Sequence, residues 1–569
     1  MNIRVISVRL FVTLPLRGEG TPSREKKRIN SFRFPLNFSY LCTRITLFFI
    51  MKKISTIITP YLRHLSAAIV MLAAVSSAYA AKATITVTIT LTRNQTITGF
   101  GGACCDGAMC PFGNDTAPVK LLYGPESEIG LNILRMEISP NFIGDVVVPE
   151  WNYWDSPYDW KGSLPSAKIV KQRGGIVFGT PWSPPGEYKT NGTAQGGNAE
   201  DQGNQRGELR EDCYDKFFPW LNTFLKYMKD NGVDIDAVSI QNEPDWWVNY
   251  SGCLYSPQQQ LNLVKGYAHM LDRETYNGVR LISAEPLGFD PNYSNTLLNN
   301  EEARNQIDII AGHIYGHPPL NELRESAKLA FKYGKEVWMT EHSVTDNLNG
   351  RLPNWHEQLL FAEEVNECMV AGCTGYIYWY LRAQWAFVGN GESQYGPDNV
   401  KNKLLPRAYV MSHFSKYLPG ATRLNSSSTI ENTTNGMFEH SAYIKGDSII
   451  VMAIDTTKNG HNLRLKLPYP VKSGTQLVST GNDKESLCQE QTVEIAEPTD
   501  LVTIPLPPRS LSTIVLTIDE GMGIKELNPH TGKKVKAYYD LQGRRLEKPH
   551  GLCIEKYADG TSKKIIIKD

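Results

Sequence analysis

The chain has 569 residues, with 59 basic and 59 acidic side chains and a formal net charge of zero. This length allows two to four domains. The balanced charge argues against nucleic acid or an anionic membrane as the main partner and is compatible with a neutral substrate. Charged residues make up 21% of the sequence and no low-complexity run exceeds a few residues, so we expect a globular body.

The first 80 residues predict an export signal. Residues 1–50 are basic and lack a clear periodicity, and we interpret them as upstream sequence translated from a misplaced start codon. From Met51, two lysines, an apolar stretch over 65–75 and an A-x-A motif at 78–80 follow the order of a signal peptide and its cleavage site. The alternative is a genuine extension with a late transmembrane anchor, although the apolar stretch is short for a bilayer. We therefore expect an exported chain without a membrane span, secreted or held at the surface or in the periplasm of a Gram-negative bacterium.

Eight short runs of apolar and β-branched residues predict parallel strands buried on both faces. The segments between them are mostly long enough for a helix. The segment 214–231, for example, has apolar residues at helical spacing and ends at an Asn-Gly turn. Eight such units predict a fold of the α/β class, a (β/α)₈ barrel over residues 93–417. The eight runs are 97–103, 133–138, 175–182, 237–244, 280–286, 309–316, 336–343 and 375–381.

Short alternating runs after the barrel predict an attached antiparallel β-sandwich over 418–518. The segment 81–92 also alternates, and we expect it to join this sandwich. The small domain would then contain both ends of the mature chain. Residues 519–569 resemble the C-terminal sorting segments of exported Bacteroidetes proteins. Their alternative interpretation is the last strands of a small β module.

Two glutamates, Glu243 and Glu341, stand at the ends of the fourth and seventh predicted strands. Because the strand ends of a barrel converge on one cleft, these side chains should face each other. Two carboxyls across one cleft are what cleavage of a glycosidic bond by an acid/base and a nucleophile requires. We assign Glu243 as the acid/base, with Asn242 beside it to bind a sugar hydroxyl, and Glu341 as the nucleophile. Glu285 also precedes a proline and is the alternative acid.

Polar side chains at other strand ends should stabilise these carboxyls. Arg135 belongs to the second predicted strand, and His313 and Tyr315 belong to the sixth. Each has a structural alternative, since an isolated arginine often forms a structural ion pair and an isolated histidine is often a satisfied core residue. Asp106 and Glu187 are polar loop residues to which the sequence assigns no role.

Five of the eleven tryptophans lie at or just beyond predicted strand ends. Flat amphipathic rings at such positions suit the apolar faces of sugar rings, although packing in the core or in loops is the alternative for each. These tryptophans are Trp182, Trp246, Trp247, Trp379 and Trp385.

The cysteines do not predict a metal site. Ten are present, and nine remain once the signal segment is removed, so they cannot all pair within one chain. Cys104, Cys105 and Cys110 lie close together and could contribute to a disulfide. Neither a C-x-x-C pair nor a suitably spaced histidine accompanies them, which disfavours a metal centre. We expect neither a metal nor a cofactor.

Several motifs, met in order over residues 83–518, resemble the signatures of glycoside hydrolase family 30. This resemblance implies a retaining mechanism in a (β/α)₈ barrel that is tightly joined to a β-sandwich. It also implies Glu243 as acid/base and Glu341 as nucleophile, with Trp182 and Trp379 flanking the sugar at the cleavage point. The motifs are GFGG at 99–102, TPWSPP at 180–185, KTNG at 189–192, QNEP at 241–244 and TEH at 340–342.

Within that family, HIYG at 313–316 and SHFSKY at 412–417 look most like the bacterial glucuronoxylan endo-xylanases. Members that bind a glucuronic acid branch carry adjacent arginines after the eighth strand, which allows oriented contacts to a carboxylate. Here Arg382 is followed by Ala383. We therefore expect a monomeric enzyme that cleaves β-1,4-xylan with a weaker or altered demand for the uronic acid. A β-1,6-glucanase, a glucosylceramidase-like hydrolase and a non-catalytic glycan-binding surface protein are the alternatives.

Overall fold

The structure is a computed structural model. It describes residues 82–104, 112, 115–140, 142–143, 146–147, 160, 162–197, 206–248, 250–316, 320–344, 351–430, 437–519, 535–539, 545–546, 551–557 and 562–567. The predicted upstream extension and signal peptide lie outside these residues, as do Asp106, Cys105 and Cys110. No helix within the described ranges is both long and apolar enough to cross a membrane.

The described chain alternates strands and helices until residue 415 and is then almost entirely strand. The strands are β1 (Thr84–Thr96), β2 (Gly99–Cys104), β3 (Ile133–Ile138), β4 (Phe142–Ile143), β5 (Val146–Val147), β6 (Ile176–Pro181), β7 (Ala237–Ser239), β8 (Arg280–Ile282), β9 (Ile309–His313), β10 (Glu336–Glu341), β11 (Gly375–Tyr378), β12 (Thr422–Ser428), β13 (Phe438–Lys445), β14 (Ser448–Asp455), β15 (His461–Ser479), β16 (Gln489–Val493), β17 (Thr499–Leu506), β18 (Ser510–Ile518), β19 (Val535–Tyr539), β20 (Arg545–Leu546), β21 (Gly551–Tyr557) and β22 (Ser562–Ile567). The helices are α1 (Ala117–Leu122), α2 (Leu164–Gln172), α3 (Tyr214–Asp230), α4 (Pro257–Tyr267), α5 (Pro291–Asn299), α6 (Glu301–Gln306), α7 (Leu320–Lys332), α8 (Trp355–Ala371) and α9 (Pro406–Ser415).

Eight parallel strands close into a barrel in the order β2, β3, β6, β7, β8, β9, β10, β11, which confirms the predicted fold class. Inward side chains of seven strands fill the barrel, as in other barrels of this type. The remaining barrel strand, β2, contributes glycines instead. A Cβ atom on Gly101 would lie only 1.8 Å from the carbonyl oxygen of Ile133, so β2 approaches its neighbour too closely for a side chain. The filling residues are Ile133, Phe178, Ala237, Ile282, Ile309, Ala311, Trp338 and Ile377.

Four of the barrel strands end three or more residues earlier than their sequence patterns predict. The regular ladders of β7, β8, β9 and β11 end at Ser239, Ile282, His313 and Tyr378, whereas the predicted runs extend to 244, 286, 316 and 381. Beyond the ends of β7 and β8, an isolated bridge between Asn242 and Glu285 keeps the two segments paired. The regular pairing of β7 and β8 therefore stops just before the polar residues near the barrel mouth.

The small domain is one continuous sheet of eight strands that packs beside the barrel. The neighbours are antiparallel except for β1, which pairs antiparallel with β12 and parallel with β15. The pairing of β1 with two strands joins the N-terminal end of the described chain to the sheet. Four further strands, β19 to β22, form a separate antiparallel sheet near the C-terminus. The resemblance of that region to a sorting segment stays a prediction.

The barrel and the small sheet meet at a buried histidine of α9. His413 bonds through Nδ1 to Thr513 Oγ1 at 2.9 Å and through Nε2 to Ser479 Oγ at 2.8 Å. Burial lowers the pKa of His413 to about 3, so the ring stays neutral at physiological pH. A neutral imidazole carries only one N–H, so one hydroxyl must donate to the ring and the other must accept from it.

We predict that His413 makes the protein sensitive to acid. The unfolded chain binds a proton on this histidine near pH 6.5, whereas the folded chain resists protonation until about pH 3. The stability that depends on the neutral ring is therefore present above pH 6.5 and is lost as the pH falls. When the pH falls from 6.5 to 4, the free energy of unfolding should decrease in both proteins. The decrease should be smaller in His413→Gln than in wild type, by about 3 kcal/mol.

Urea unfolding at several pH values measures this difference. The control is His269→Gln, which changes an exposed histidine and should keep the pH dependence of wild type. An equal loss of stability in wild type and His413→Gln would contradict the prediction.

Candidate active site

Glu243 is turned out of its strand by an unusual backbone conformation. Its φ angle is +45°, in the left-handed region that residues other than glycine rarely adopt. Its amide donates to the carbonyl oxygen of Glu285 at 2.9 Å, and the amide of Glu285 donates to the carbonyl oxygen of Gln241 at the same distance. Pro244 follows and cannot continue a ladder. Such conformations persist where the surroundings hold them, and they cluster at functional sites.

The carboxyl groups of Glu243 and Glu341 share one pocket at the mouth of the barrel. One carboxylate oxygen of each residue and one ring nitrogen of His313 all lie within 4.8 Å of one another. The residues are 8% and 5% exposed, so both are mostly shielded from water but reachable from the cleft. The structure therefore brings together the two residues that the sequence assigned to catalysis.

Arg135 lies beneath this pair and is completely buried. Its Nη1 donates to Glu341 Oε2 at 2.5 Å, and its Nη2 donates to Asn242 Oδ1 at 2.7 Å. The same Nη2 lies 3.0 Å from Glu285 Oε2, and Nε donates to Thr180 Oγ1 at 3.4 Å. One guanidinium thus orients side chains from the ends of four other strand segments.

Glu285, the alternative acid, is buried behind the site and does not line the cleft. Burial by itself would raise the pKa of its carboxyl, but Arg135 and then His313 outweigh burial and lower it to about 2. Thr180 adds a hydroxyl donor at 2.8 Å. Glu285 is therefore ionised near neutral pH, which disfavours it as a general acid. It acts instead as a fixed counter-ion for Arg135 and His313.

His313 is also fully buried and holds a positive charge. Burial lowers the pKa of its ring, but Glu341, Glu243 and Glu285 outweigh that effect and raise the pKa to about 9. Its Nδ1 lies 3.2 Å from Glu243 Oε1, and its Nε2 lies 3.5 Å from Glu285 Oε2. The protonated ring therefore donates toward Glu243 on one side and faces Glu285 on the other.

The grouping of Glu243, His313 and Glu341 also has the spacing of a metal site. Two features of the chain disfavour that use. A protonated imidazole cannot ligate a metal, since ligation requires the neutral ring. The guanidinium of Arg135 already contacts Glu341 Oε2 and would repel a cation there.

Tyr315 completes the surroundings of Glu341. Its hydroxyl donates to Glu341 Oε1 at 3.2 Å, and its ring packs against that of His342 with centroids 4.8 Å apart. Burial, and then the charge of Glu341, raise the pKa of the Tyr315 hydroxyl, so it remains a donor. Burial also raises the pKa of Glu341, while His313 and Arg135 oppose that rise. Both carboxylate oxygens of Glu341 thus accept a hydrogen bond.

Two of the predicted aromatic platforms stand side by side at the site. The rings of Trp182 and Trp379 have centroids 5.8 Å apart and are inclined by 38°. The guanidinium carbon of Arg135 lies 4.7 Å from the centroid of the Trp182 ring, which ties the platform to the charged network. Trp246 and Trp247, by contrast, are 51% and 38% exposed.

Arg382 does not join the catalytic network. Its guanidinium lies over the ring of Phe112, 5.3 Å from the centroid, and its Nη1 is 3.3 Å from Asn402 Oδ1. Glu187 is exposed in a short turn away from the two carboxyls. These placements leave the role of Arg382 in binding an acidic branch as a prediction.

Tyr250 is a site residue that the sequence analysis missed. It packs, partly buried, against the hydrophobic core, and burial raises the pKa of its hydroxyl, which the charges of Glu243 and Glu341 raise further. It lies on an irregular loop after β7, where no periodic pattern predicts which side chain turns inward. Thr180 belongs to the TPWSPP motif, and the sequence analysis assigned this residue no separate role. In the structure its hydroxyl links Arg135 to Glu285.

An eight-stranded parallel barrel with two facing carboxyls at its mouth defines this chain as a glycosidase of the (β/α)₈ class. Residues 128–397 match the model of the glycosyl hydrolase family 30 TIM-barrel domain. The chain belongs to glycoside hydrolase family 30.

Known relatives include several specificities. A solved family 30 subfamily 8 xylanase, Xyn30A from Clostridium acetobutylicum, is 30% identical with a TM-score of 0.60, and the match covers 76% of this chain and 99% of that one. Glucuronoxylanase XynC of Bacillus subtilis is 28% identical over 382 residues, covering 65% of this chain and 77% of the relative. Putative glucosylceramidase 3 of Caenorhabditis elegans is 26% identical and covers 58% of this chain and 69% of the relative.

We predict that Glu285 is essential to the stability of the site. Glu285→Gln removes the counter-ion of a buried guanidinium, and breaking such a pair costs about 3 to 5 kcal/mol. Urea unfolding at pH 7 measures the change. The control is Glu302→Gln, which breaks an exposed pair with Lys265 and should cost about 1 kcal/mol or less. Similar small losses in both variants would contradict the role assigned to Glu285.

Proposed function

We propose that the chain is a retaining endo-β-1,4-xylanase that acts by double displacement. The observation that carries the mechanism is the distance within 4.8 Å between carboxylate oxygens of Glu243 and Glu341. Retaining enzymes hold their carboxyl groups about 5 to 5.5 Å apart, whereas inverting enzymes leave a wider gap for a water molecule. The short gap favours direct attack by one carboxylate on the anomeric carbon.

The contacts of the two carboxyls support Glu341 as the nucleophile. Arg135 and Tyr315 each donate to one of its oxygens, and both donors stabilise the anion. Glu341 would attack the anomeric carbon while Glu243 gives its proton to the departing oxygen. Glu243 would then take a proton from the water that releases the sugar from Glu341.

The charges around the site support one shared proton. Three carboxyls, those of Glu243, Glu285 and Glu341, face two cations, Arg135 and His313. A single proton would balance the group. Glu285 is held ionised by Arg135, and the two donors to Glu341 suit the anion that a nucleophile must be.

Asn242 is oriented to bind the sugar beside the acid. Its Oδ1 accepts from Arg135, which fixes the direction of the side-chain amide. The Nδ2 group is then the end available to donate to a sugar hydroxyl. Trp182 and Trp379 would flank the same sugar.

Xylan is the substrate that the relatives favour. The solved structure from Clostridium acetobutylicum is described as a xylanase, and the Bacillus subtilis relative is named a glucuronoxylanase. Because Arg382 is engaged with Phe112 and Asn402 and is followed by an alanine, we propose that cleavage depends less on a glucuronic acid branch than in members with paired arginines. Glucosylceramidase and endo-1,6-β-D-glucanase relatives make those two activities the alternatives within the family. A non-catalytic glycan-binding role is the alternative outside it.

We further propose that the protein is exported, on the basis of the signal-like segment at 51–80. Sequencing the N-terminus of the protein recovered from cell envelope and medium tests this proposal. A mature chain that starts near residue 81 would support it, and a chain that retains residues 51–80 would contradict it.

The two glutamates should respond differently to the leaving group. Glu341→Gln removes the nucleophile, so it should be nearly inactive on polymer and on aryl glycosides alike. Glu243→Gln removes only acid/base assistance, worth about 10²- to 10⁴-fold. Its formation of the glycosyl-enzyme should approach the wild-type rate with a good leaving group such as dinitrophenolate, because that group departs without a proton.

Steady-state and burst kinetics on both substrate types measure this contrast. Glu302→Gln is the control and should keep wild-type activity, since Glu302 is exposed on α6. A Glu341→Gln variant with wild-type activity on polymer would exclude Glu341 as the nucleophile.

The substrate assignment predicts the products. Wild type should release oligosaccharides from glucuronoxylan and from arabinoxylan, and should leave β-1,6-glucan and glucosylceramide intact. Mass spectrometry of the products shows whether each cut lies at a fixed distance from a uronic acid. Cuts on glucan or glucosylceramide alone would refute the xylanase assignment, and strictly branch-placed cuts would refute the weaker demand for the uronic acid.

A further inference from the structure

The loop that follows the acid/base is built as a rigid support for exposed aromatic rings. Its described residues are 244–248 and 250–255, and its ends are joined by a hydrogen bond from the Tyr255 amide to the Pro244 carbonyl at 3.0 Å. At its start, the Trp246 amide donates to the carbonyl oxygen of Glu243 at 3.1 Å, which forms a tight turn. Asp245 Oδ1 accepts from the amide of Leu287 at 2.9 Å.

A neighbouring loop holds the far side of this segment. The amide of Gly196 donates to the Tyr250 carbonyl at 2.8 Å, and that of Gly252 donates to the Ala194 carbonyl at 3.2 Å. The buried ammonium of Lys189 donates to the carbonyl oxygens of Ala194 and Gly252 at 3.0 and 2.6 Å. These contacts restrict the motion of the segment relative to the barrel.

Within this fixed loop, neighbouring side chains face opposite environments. Val248 is buried, and Tyr250 packs partly buried against the hydrophobic core. Trp246 and Trp247 are 51% and 38% exposed, and no other tryptophan among the residues described is as exposed. Two adjacent indoles exposed on a fixed support together offer a flat apolar surface of the kind that binds a ligand.

The position of the two rings indicates the ligand. If Glu243 is the acid, its carboxyl stands beside the oxygen that joins the cleaved sugar to the leaving part of the chain. The turn from Glu243 to Trp246 keeps their Cα atoms within about 7 Å. The indoles therefore lie within about one or two sugar units of the bond that breaks. Trp182 and Trp379 already provide the rings at the cleaved sugar itself.

We propose that Trp246 and Trp247 form a binding site for the leaving-group side of the polysaccharide, where pyranose rings stack on the indoles. This inference rests on the proposed function, since it requires a glycosidase with Glu243 as its acid. The ligand is a run of neutral sugar units, because flat indoles bind the apolar faces of pyranoses and provide no charge.

The test compares two substrates that differ only in the leaving group, on the far side of the bond that is cleaved. One is the polysaccharide that wild type cleaves. The other is an aryl oligosaccharide of the same sugars, with a small phenolate in place of the leaving chain. Trp246→Ala/Trp247→Ala should lower kcat/KM on the polymer by about 10-fold or more and change it less than about 2-fold on the aryl substrate. Each single variant should show a part of the effect on the polymer.

The control is Phe331→Ala, which removes an exposed aromatic ring from α7. It should leave both rates at the wild-type level. Equal losses on both substrates in the double variant would overturn the proposal, because they would place the rings on the other side of the cut or in a structural role. Unchanged rates on both would also overturn it. Wild type without activity on any polysaccharide would instead refute the proposed function.

Discussion

The guanidinium of Arg135 is the constraint on which the site depends. It is buried in the barrel and cannot lose its charge, so the chain must surround it with acceptors. Those acceptors are Glu341, Asn242 and Glu285, of which the proposed mechanism uses the first two. A single buried cation therefore orients the carboxylate of Glu341, the side-chain amide of Asn242 and the carboxylate of Glu285. The stability of the barrel interior and the geometry of its mouth are coupled through this residue.

The same network gives different surroundings to two chemically identical side chains. Glu243 and Glu341 are both glutamates at the end of barrel strands, yet their neighbours differ. Glu341 receives hydrogen bonds from a guanidinium and a phenol, whereas Glu243 faces an imidazolium and the open cleft. Pairs of carboxyls whose surroundings differ in this way can act as acid and nucleophile in one reaction.

Two buried histidines show how strongly the surroundings decide the state of a side chain. His313 is surrounded by carboxylates, which raise its pKa to about 9 despite burial. His413 lies between hydroxyls at the junction with the small sheet, where nothing opposes burial, and its pKa falls to about 3. One ring contributes charge to the active site and the other joins the barrel to the neighbouring sheet as a neutral group. Their sequence contexts do not distinguish these two states.

The amino-acid sequence determined the barrel, because eight apolar runs separated by helical segments have few other ways to bury their faces. It also located Glu243 and Glu341, since polar residues that end buried strands must collect at the barrel mouth. The tertiary structure alone decided that Glu285 is a counter-ion and not an acid, because that outcome depends on burial beside Arg135 and His313 from other strands. It also decided that Tyr250 turns inward while Trp246 and Trp247 remain exposed. An irregular loop has no periodicity to predict its orientation, and contacts from a distant loop fix it in space.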